Sequence, residues 1–186
     1  NLAWRNVAIA DLLERRLGLP VHVEHNVRSM ALAEARFGGG KGLTSVGYVY
    51  LNAGLGAGLV VEGQPFSGGV NGAIEIGHLQ VYTDGRICRC GGKGCVETVV
   101  SNEALSETAR TLGLPRSAHP LTTILDAGAT MPDAAIAAER ITEALSMAIS
   151  VMANVLNPQK ILLGGTLAQV DEGFFSGLVN QTRQRM

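Results

Sequence analysis

The chain has 186 residues, of which 46% are hydrophobic and 17% charged, and its formal net charge is −1. This composition is typical of a soluble globular protein with a sizeable core, and it provides no basic stripe for nucleic acid. No apolar run reaches the length of a membrane span, and nothing resembles a signal peptide, so we expect a cytoplasmic protein. The chain begins without methionine, inside a predicted helix (residues 1–4), and we expect it to be an internal piece of a longer protein.

Two helices and a strand are predicted before residue 38. Apolar residues recur at helical spacing over residues 6–17, and the glycine and proline that follow end this helix. Residues 21–24 predict a short strand, and residues 27–37 predict a second helix. The glycine-rich segment GGGKG, residues 38–42, is the predicted domain boundary.

Strands and helices alternate in the rest of the chain. Residues 45–52 and 57–62 predict two strands joined by a Gly54-Leu55-Gly56 turn. Helices are expected at residues 102–112 and 134–156, and a buried strand at residues 160–165. The apolar side of the long helix is predicted to hold Ile136, Ile141, Leu145, Ile149 and Met152. This alternation predicts an α/β architecture.

All three cysteines of the chain lie within eight residues, and a histidine precedes them. The four residues are His78, Cys88, Cys90 and Cys95. One imidazole and three thiols form the ligand set of a closed tetrahedral zinc site, in which the metal orders a loop and has no open position for a catalytic water. An odd number of cysteines excludes a complete disulfide framework. An accidental cluster or a redox site is the alternative.

Two glutamates and His78 flank this segment and could bind a ligand. Glu75 and His78 are three residues apart, so they would share one face of a helical turn. Glu97 follows Cys95 by two residues, so a metal loop would hold it in place. Carboxylates and an imidazole that converge on one pocket suit a polyhydroxylated ligand, because they share hydrogen bonds with hydroxyls. His78 could bind zinc through one ring nitrogen and face the ligand with the other. The alternative for each glutamate is a solvated surface charge.

A second glycine-rich segment, at the turn between the first two strands, could approach a phosphate. Gly54 and Gly56 are closely spaced, which lets backbone N–H groups come near an anion. A plain tight turn is the alternative. No lysine follows at P-loop spacing, so a Walker-type NTPase is not expected.

Five segments of the chain together resemble the ROK family of repressors, open reading frames and sugar kinases. In chain order they are VEHNVRSMALAE, LNAGLGAGLVVEGQ, GGVNGAIEIGHLQV, CRCGGKGCVET and NPQKILLGGTLA. The resemblance implies two ribonuclease-H-like domains, as in actin and hexokinase, that close over a sugar and, in the kinases, over ATP. It further implies that residues 1–37 end the first domain and that residues 38–186 belong to the second, with the zinc loop at residues 78–97.

The resemblance also implies which residues contact ligands. Sugar contacts are expected from His25, Asn26, Glu75, His78 and Glu97. Remnants of the nucleotide loops are expected at Gly54, Gly56, Gly164 and Gly165.

The sequence departs from the kinases of the family at two of these places. The kinases carry Asn-Asp where this chain has His25-Asn26, and their aspartate is the base that takes a proton from the sugar. A neutral amide cannot accept that proton, and general-base catalysis is typically worth about 10²–10⁴-fold. His25 could substitute only with a different side-chain direction, and Asn26 could instead be the N-cap of the helix over residues 27–37. Ala53 stands where the kinases usually have a hydroxyl.

The resemblance and these departures predict a sugar-sensing effector domain of a ROK-type transcriptional regulator. Its expected partners are a sugar or sugar-phosphate effector, DNA through a helix-turn-helix domain outside this chain, and further copies in a homodimer or homotetramer. The alternatives are an ATP-dependent sugar kinase that uses Mg²⁺, and a sugar-binding protein with neither function.

Overall fold

The computed structural model describes residues 4–68 and 74–186. The predicted helix start at residues 1–3 and residues 69–73 of the GGVNGAIEIGH segment lie outside this range. The α-helices are α1 (Ile9–Leu17), α2 (Asn26–Phe37), α3 (Glu97–Val100), α4 (Asn102–Thr111), α5 (Pro120–Gly128), α6 (Pro132–Leu156) and α7 (Glu172–Arg183). The strands are β1 (Ser45–Leu51), β2 (Leu55–Val61), β3 (Gln64–Pro65) and β4 (Lys160–Gly165). Two short 3₁₀ helices cover Ile76–His78 and Thr166–Gln169.

The strands form one mixed sheet in the order β3-β2-β1-β4. β1 and β2 are antiparallel and form a hairpin in which Leu51 is opposite Leu55, while β4 runs parallel to β1 and places Gly165 beside Leu51. The turn of the hairpin and the carboxyl end of β4 therefore lie at the same edge of the sheet. The turn itself spans residues 52–54, so the predicted Gly54-Leu55-Gly56 turn was placed too late, because Leu55 and Gly56 already pair with β1. Gly54 and the Gly164-Gly165 segment lie at this edge.

The core lies between one face of the sheet and helix α6, which also packs against α5 and α7. Ile141, Leu145, Ile149 and Met152 are buried as predicted, but Ile136 is 64% exposed, so its placement on the apolar side was wrong. At about 100° per residue, the five positions from Ile136 to Ile141 rotate the side-chain direction by about 140° more than a full turn. Ile136 therefore does not point to the same side of α6 as Ile141. No helix in the described part of the chain is long and apolar enough to cross a membrane.

Helix α2 packs on the opposite face of the sheet. Its residues Val27 and Ala31 are buried there. They fit because β2 has glycines opposite them: a side chain at Gly56 would collide with Val27, and one at Gly58 would collide with Ala31. Helix α1, in contrast, has no buried residue. The domain boundary after residue 37 stays a prediction.

Three predictions in the first forty residues differ from the structure. Residues 21–24 form no strand, because no strand in the described ranges pairs with them to satisfy their backbone groups. Helix α1 begins at Ile9 rather than residue 6, since Asn6 has a left-handed backbone with φ 50°. Helix α2 begins at Asn26, so its N-cap is His25 and Asn26 is the first helical residue.

Candidate metal centre and adjoining carboxylates

The four predicted metal ligands lie together. The ligand atoms of His78, Cys88, Cys90 and Cys95 are all within 4.8 Å of one another. The Sγ atoms of Cys90 and Cys95 are 3.8 Å apart, and Nδ1 of His78 is 3.6 Å from Sγ of Cys88. Two thiolates on a tetrahedral zinc, at Zn–S about 2.3 Å, are separated by about 3.8 Å. The donor set and its spacing therefore fit one tetrahedral metal ion.

Backbone hydrogen bonds within the loop hold the cysteines in this arrangement. The N–H of Cys88 donates to the carbonyl of Gly92 at 2.8 Å, and the N–H of Gly91 donates back to the carbonyl of Cys88 at 3.0 Å. Gly91 and Gly94 have φ angles of 90° and 68°, a region in which residues with a side chain are strained. The glycines of the segment thus let the chain turn twice within eight residues.

The environments of two of the thiols differ. Burial and the neighbouring thiols raise the pKa of Cys95 to about 12, whereas the N–H of Gly92 lowers the pKa of Cys90. Cys95 resists losing its proton, because its buried thiolate would be poorly solvated and would lie beside the other sulfur atoms. A divalent cation supplies the missing charge and keeps coordinated thiols deprotonated. The loop is therefore suited to a metal ion.

His78 has its two ring nitrogens in different surroundings. Nδ1 faces Cys88, while Nε2 is 3.9 Å from Oε2 of Glu75. Glu75 directly precedes the 3₁₀ helix that carries His78, so the three-residue spacing brings both side chains to one side. A metal on Nδ1 would leave the Nε2–H directed toward Glu75 and away from the ion.

Glu97 is the last residue of the metal loop, residues 78–97, and the first residue of helix α3. Its carboxylate lies at the hairpin turn between β1 and β2. Oε2 accepts a hydrogen bond from the N–H of Leu55 at 3.1 Å. A side chain at Gly54 would overlap this carboxylate, so glycine leaves room for Glu97 to occupy this position. The structure thus brings the predicted metal loop, a predicted ligand residue and the first predicted nucleotide glycine to one place.

The other predicted nucleotide glycines are explained by packing. A side chain at Gly56 would meet Val27, one at Gly164 would overlap the phenol of Tyr48, and one at Gly165 would overlap the carbonyl of Leu51. Each contact accounts for the glycine without a ligand.

His25 and Asn26 lie at the start of α2, and both are exposed. Within the described ranges, the amide of Asn26 makes no side-chain hydrogen bond, so it is not used as a helix cap. Val27, the next residue, contacts Gly56 of the hairpin, so this end of α2 lies against the strand that follows the turn.

Comparison with known proteins assigns this arrangement to a family. The model of the ROK family matches residues 1–186. The chain belongs to the ROK family.

Both regulators and kinases of the ROK family are similar to this chain. It is 31% identical to the DNA-binding transcriptional repressor Mlc of Escherichia coli over 97% of the chain and 47% of the repressor. It is 34% identical to a glucokinase of Halalkalibacterium halodurans over 92% of the chain and 56% of that enzyme. The chain therefore spans about half the length of the curated relatives that it matches.

The fold matches as well. The structure superposes on the ROK hexokinase of Thermus thermophilus with a TM-score of 0.83 and 26% identity, covering 95% of this chain and 61% of the hexokinase. The ROK chain therefore has the actin/hexokinase-like α/β fold, as the resemblance implied.

An open cleft of about 940 Å³ adjoins Glu97 in this ROK chain. The hairpin turn, the metal loop and helix α4 line it. Its charged residues include two pairs, Arg89 with Glu103 and Arg110 with Glu107. The guanidinium of Arg110 lowers the pKa of Glu107 and keeps that carboxylate charged. The volume of the cleft would admit a sugar-sized ligand, but of the predicted sugar contacts only Glu97 lines it, and His25, Asn26, Glu75 and His78 do not.

Sequence reasoning missed two residues that fix the hairpin turn. The Asn102 side-chain amide donates to Oδ1 of Asn52 at 2.8 Å, and the Asn102 N–H donates to the carbonyl of Asn52 at 3.0 Å. These bonds join the turn to the first residue of α4. Asn52 and Asn102 are 50 positions apart, so no local pattern could have paired them.

Proposed function

We propose that this chain is the sugar-sensing effector part of a ROK-type transcriptional regulator. The observation that carries the proposal is Asn26, which stands where the kinases of the family have their catalytic base. Its amide can donate and accept hydrogen bonds with a sugar hydroxyl, but it cannot remove the proton. Ala53, at the hairpin turn, likewise lacks the hydroxyl that the kinases usually have there.

The proposed ligand is a hexose or hexose phosphate, held by His25, Asn26, Glu75, His78 and Glu97. The support is chemical, because carboxylates, an amide and imidazoles share hydrogen bonds with several hydroxyls at once. The four-ligand cluster is proposed to hold a structural zinc. In that arrangement zinc would fix the loop that carries His78 and the start of α3 that carries Glu97, so that metal and sugar affinity depend on each other.

The regulatory step would be a change of population rather than a reaction. Sugar that binds between two domains stabilises their closed arrangement by the difference in its affinity for the two states. A helix-turn-helix domain elsewhere in the full-length protein would bind DNA in one of those states only. A cytoplasmic homodimer or homotetramer is the proposed assembly.

The second candidate is an ATP-dependent sugar kinase. It is favoured by the 34% identity to a glucokinase over 92% of the chain. It requires ATP with Mg²⁺ and a general base other than Asn26. Of the pair His25-Asn26, the imidazole of His25 is the group that could accept a proton.

An assay of the full-length protein separates these candidates. A panel of hexoses and hexose 6-phosphates is tested for binding by calorimetry and, with ATP and Mg²⁺, for ADP release. We expect binding without turnover, and release of a labelled operator fragment by the same sugar. Turnover at ordinary kinase rates, about 1–100 s⁻¹, would contradict the regulator proposal.

A further inference from the structure

Tyr82, in the metal loop, is attached to the long helix α6 by two kinds of contact. Its hydroxyl donates to Oε2 of Glu143 at 2.9 Å. The guanidinium carbon of Arg140 lies 4.3 Å from the centre of its ring, within the range of a cation–π interaction. Both partners belong to α6, so the middle of the metal loop is held against that helix.

The backbone of Tyr82 is joined to the residue that precedes a metal ligand. The N–H of Tyr82 donates to the carbonyl of Gly94 at 3.2 Å, and a side chain at Gly94 would overlap the carbonyl of Tyr82. Cys95 follows Gly94 directly. A displacement of Tyr82 would therefore move the backbone that positions the Cys95 thiol.

The same glutamate also contacts the chain beyond α7. Oε1 of Glu143 is 3.7 Å from Nη2 of Arg185, and Nε of Arg185 donates at 3.1 Å to the hydroxyl of Ser146, which is fully buried. The side-chain amide of Asn154 donates to the carbonyl of Arg185 at 3.1 Å. Arg185 is thus held at three points on α6, and one of them is the carboxylate that Tyr82 uses.

We propose that Tyr82 is a positioning residue for the metal centre, and that Glu143 couples the metal loop to the end of α7. Each oxygen of the Glu143 carboxylate has one partner, so the carboxylate orientation that suits Tyr82 also suits Arg185. When the loop moves, as on loss of the metal, the Tyr82 contact is lost and the Arg185 contact is reoriented. Coupling of this kind is reciprocal, so a change at Arg185 alters metal retention. The inference holds for a regulator and for a kinase.

The test measures zinc release from the full-length, zinc-loaded protein to an excess of chelator. Tyr82→Phe keeps the ring over Arg140 and removes only the hydroxyl. Arg185→Gln removes the cation, just beyond the end of α7, that pairs with Glu143. We expect each variant to release zinc about tenfold faster than wild type. This is the lower end of the effect on metal affinity when residues that orient metal ligands are replaced. Arg183→Gln is the matched control, because Arg183 is exposed in the last turn of α7 and makes no ion pair in the described part of the chain.

A combination of variants separates coupling from local damage. If Glu143 joins the two residues, Arg185→Gln will cause no further acceleration in a Glu143→Gln background, where the shared carboxylate is absent. Hydrogen exchange of α7 should differ between zinc-loaded and zinc-free wild type, and this difference should be lost in Glu143→Gln. An Arg185→Gln protein that releases zinc at the rate of Arg183→Gln overturns the coupling. A wild-type protein that holds no zinc overturns the metal centre as well.

Discussion

Gly54 and Glu97 lie in contact, and the Glu97 carboxylate accepts a hydrogen bond from the N–H of Leu55, 42 positions earlier in the chain. The contact places a carboxylate, held by the metal loop, against the hairpin turn. The candidate metal loop, the residue proposed to bind sugar and the hairpin turn therefore form one contacting unit.

Replacement of Gly54 by alanine should disrupt this unit. The added methyl group would overlap the Glu97 carboxylate and displace it from the N–H of Leu55. We expect sugar affinity to fall at least tenfold and the free energy of unfolding to fall by about 1 kcal/mol, the net contribution of one hydrogen bond, because the flexible Glu97 side chain can move aside. Calorimetry and chemical denaturation measure both.

Gly177→Ala is the control for this substitution. Gly177 is an exposed residue of α7 with open space around it, so alanine there should leave sugar binding unchanged and stability equal or slightly higher. Equal sugar affinity in Gly54→Ala and wild type would show that the contact does not position Glu97 for a ligand.

Replacement of Cys90 by serine should remove the metal and weaken sugar binding. The wild-type chain should contain one zinc, measured by metal analysis of the purified protein. Serine lacks the thiolate that the site needs, so the loop should lose order and His78 and Glu97 should lose their positions. Thr83→Ala, an exposed substitution in the same loop but outside the lining of the cleft, should retain both the zinc and the sugar affinity. Well under one zinc per wild-type chain would contradict the site, and unchanged sugar affinity in Cys90→Ser would contradict its coupling to the ligand.

Metal affinity should rise with pH. The pKa of Cys95 is about 12 without a metal, so at neutral pH this thiol carries a proton that it must lose when it binds the ion. Each proton released makes the apparent affinity about tenfold higher per pH unit. Competition with a chelator of known pH dependence, between pH 6 and pH 8, should show at least this slope, with zinc lost at the acid end. A flat profile would indicate that Cys95 is not a ligand.

Replacement of Asn26 by aspartate should restore a general base at the kinase position. If the amide is the obstacle to phosphoryl transfer, Asn26→Asp should show ADP release that depends on the sugar and exceeds that of wild type by about 10²-fold or more. Asn26→Ala is the control, because it removes the amide without adding a base. Wild type that already turns over faster than Asn26→Asp would contradict the proposed role of Asn26.

The stability of the fold should depend on one stripe of α6. Ile141→Ala should lower the free energy of unfolding by about 2–5 kcal/mol, because it opens a cavity in the core. Ile136→Ala, in the same helix but exposed, should change it by about 0.5 kcal/mol or less. Urea denaturation of both variants measures the difference. If both variants lost the same free energy of unfolding, Ile136 would have to be buried by a contact outside this single chain.

The amino-acid sequence by itself determined the features that depend on near neighbours. The metal ligands lie within 18 positions, so their spacing, the glycines between them and the chemistry of thiols and imidazole predicted the cluster that the structure forms. Helical and strand periodicity likewise predicted β1, β2, β4, α2, α4 and α6 to within a few residues. The resemblance to the ROK family followed from the same local segments.

Only the tertiary structure decided what depends on residues far apart in the chain. The strand predicted at residues 21–24 failed because a strand requires a partner, and hydrophobic alternation does not provide one. The contacts of Glu97 with the hairpin turn and of Tyr82 with Glu143 join residues 42 and 61 positions apart. No local pattern encodes such pairs, because they form only when the sheet and α6 bring their elements together. The sequence thus determined which residues could bind a metal, and the packing of α3, α6 and the hairpin decided what that metal loop holds in place.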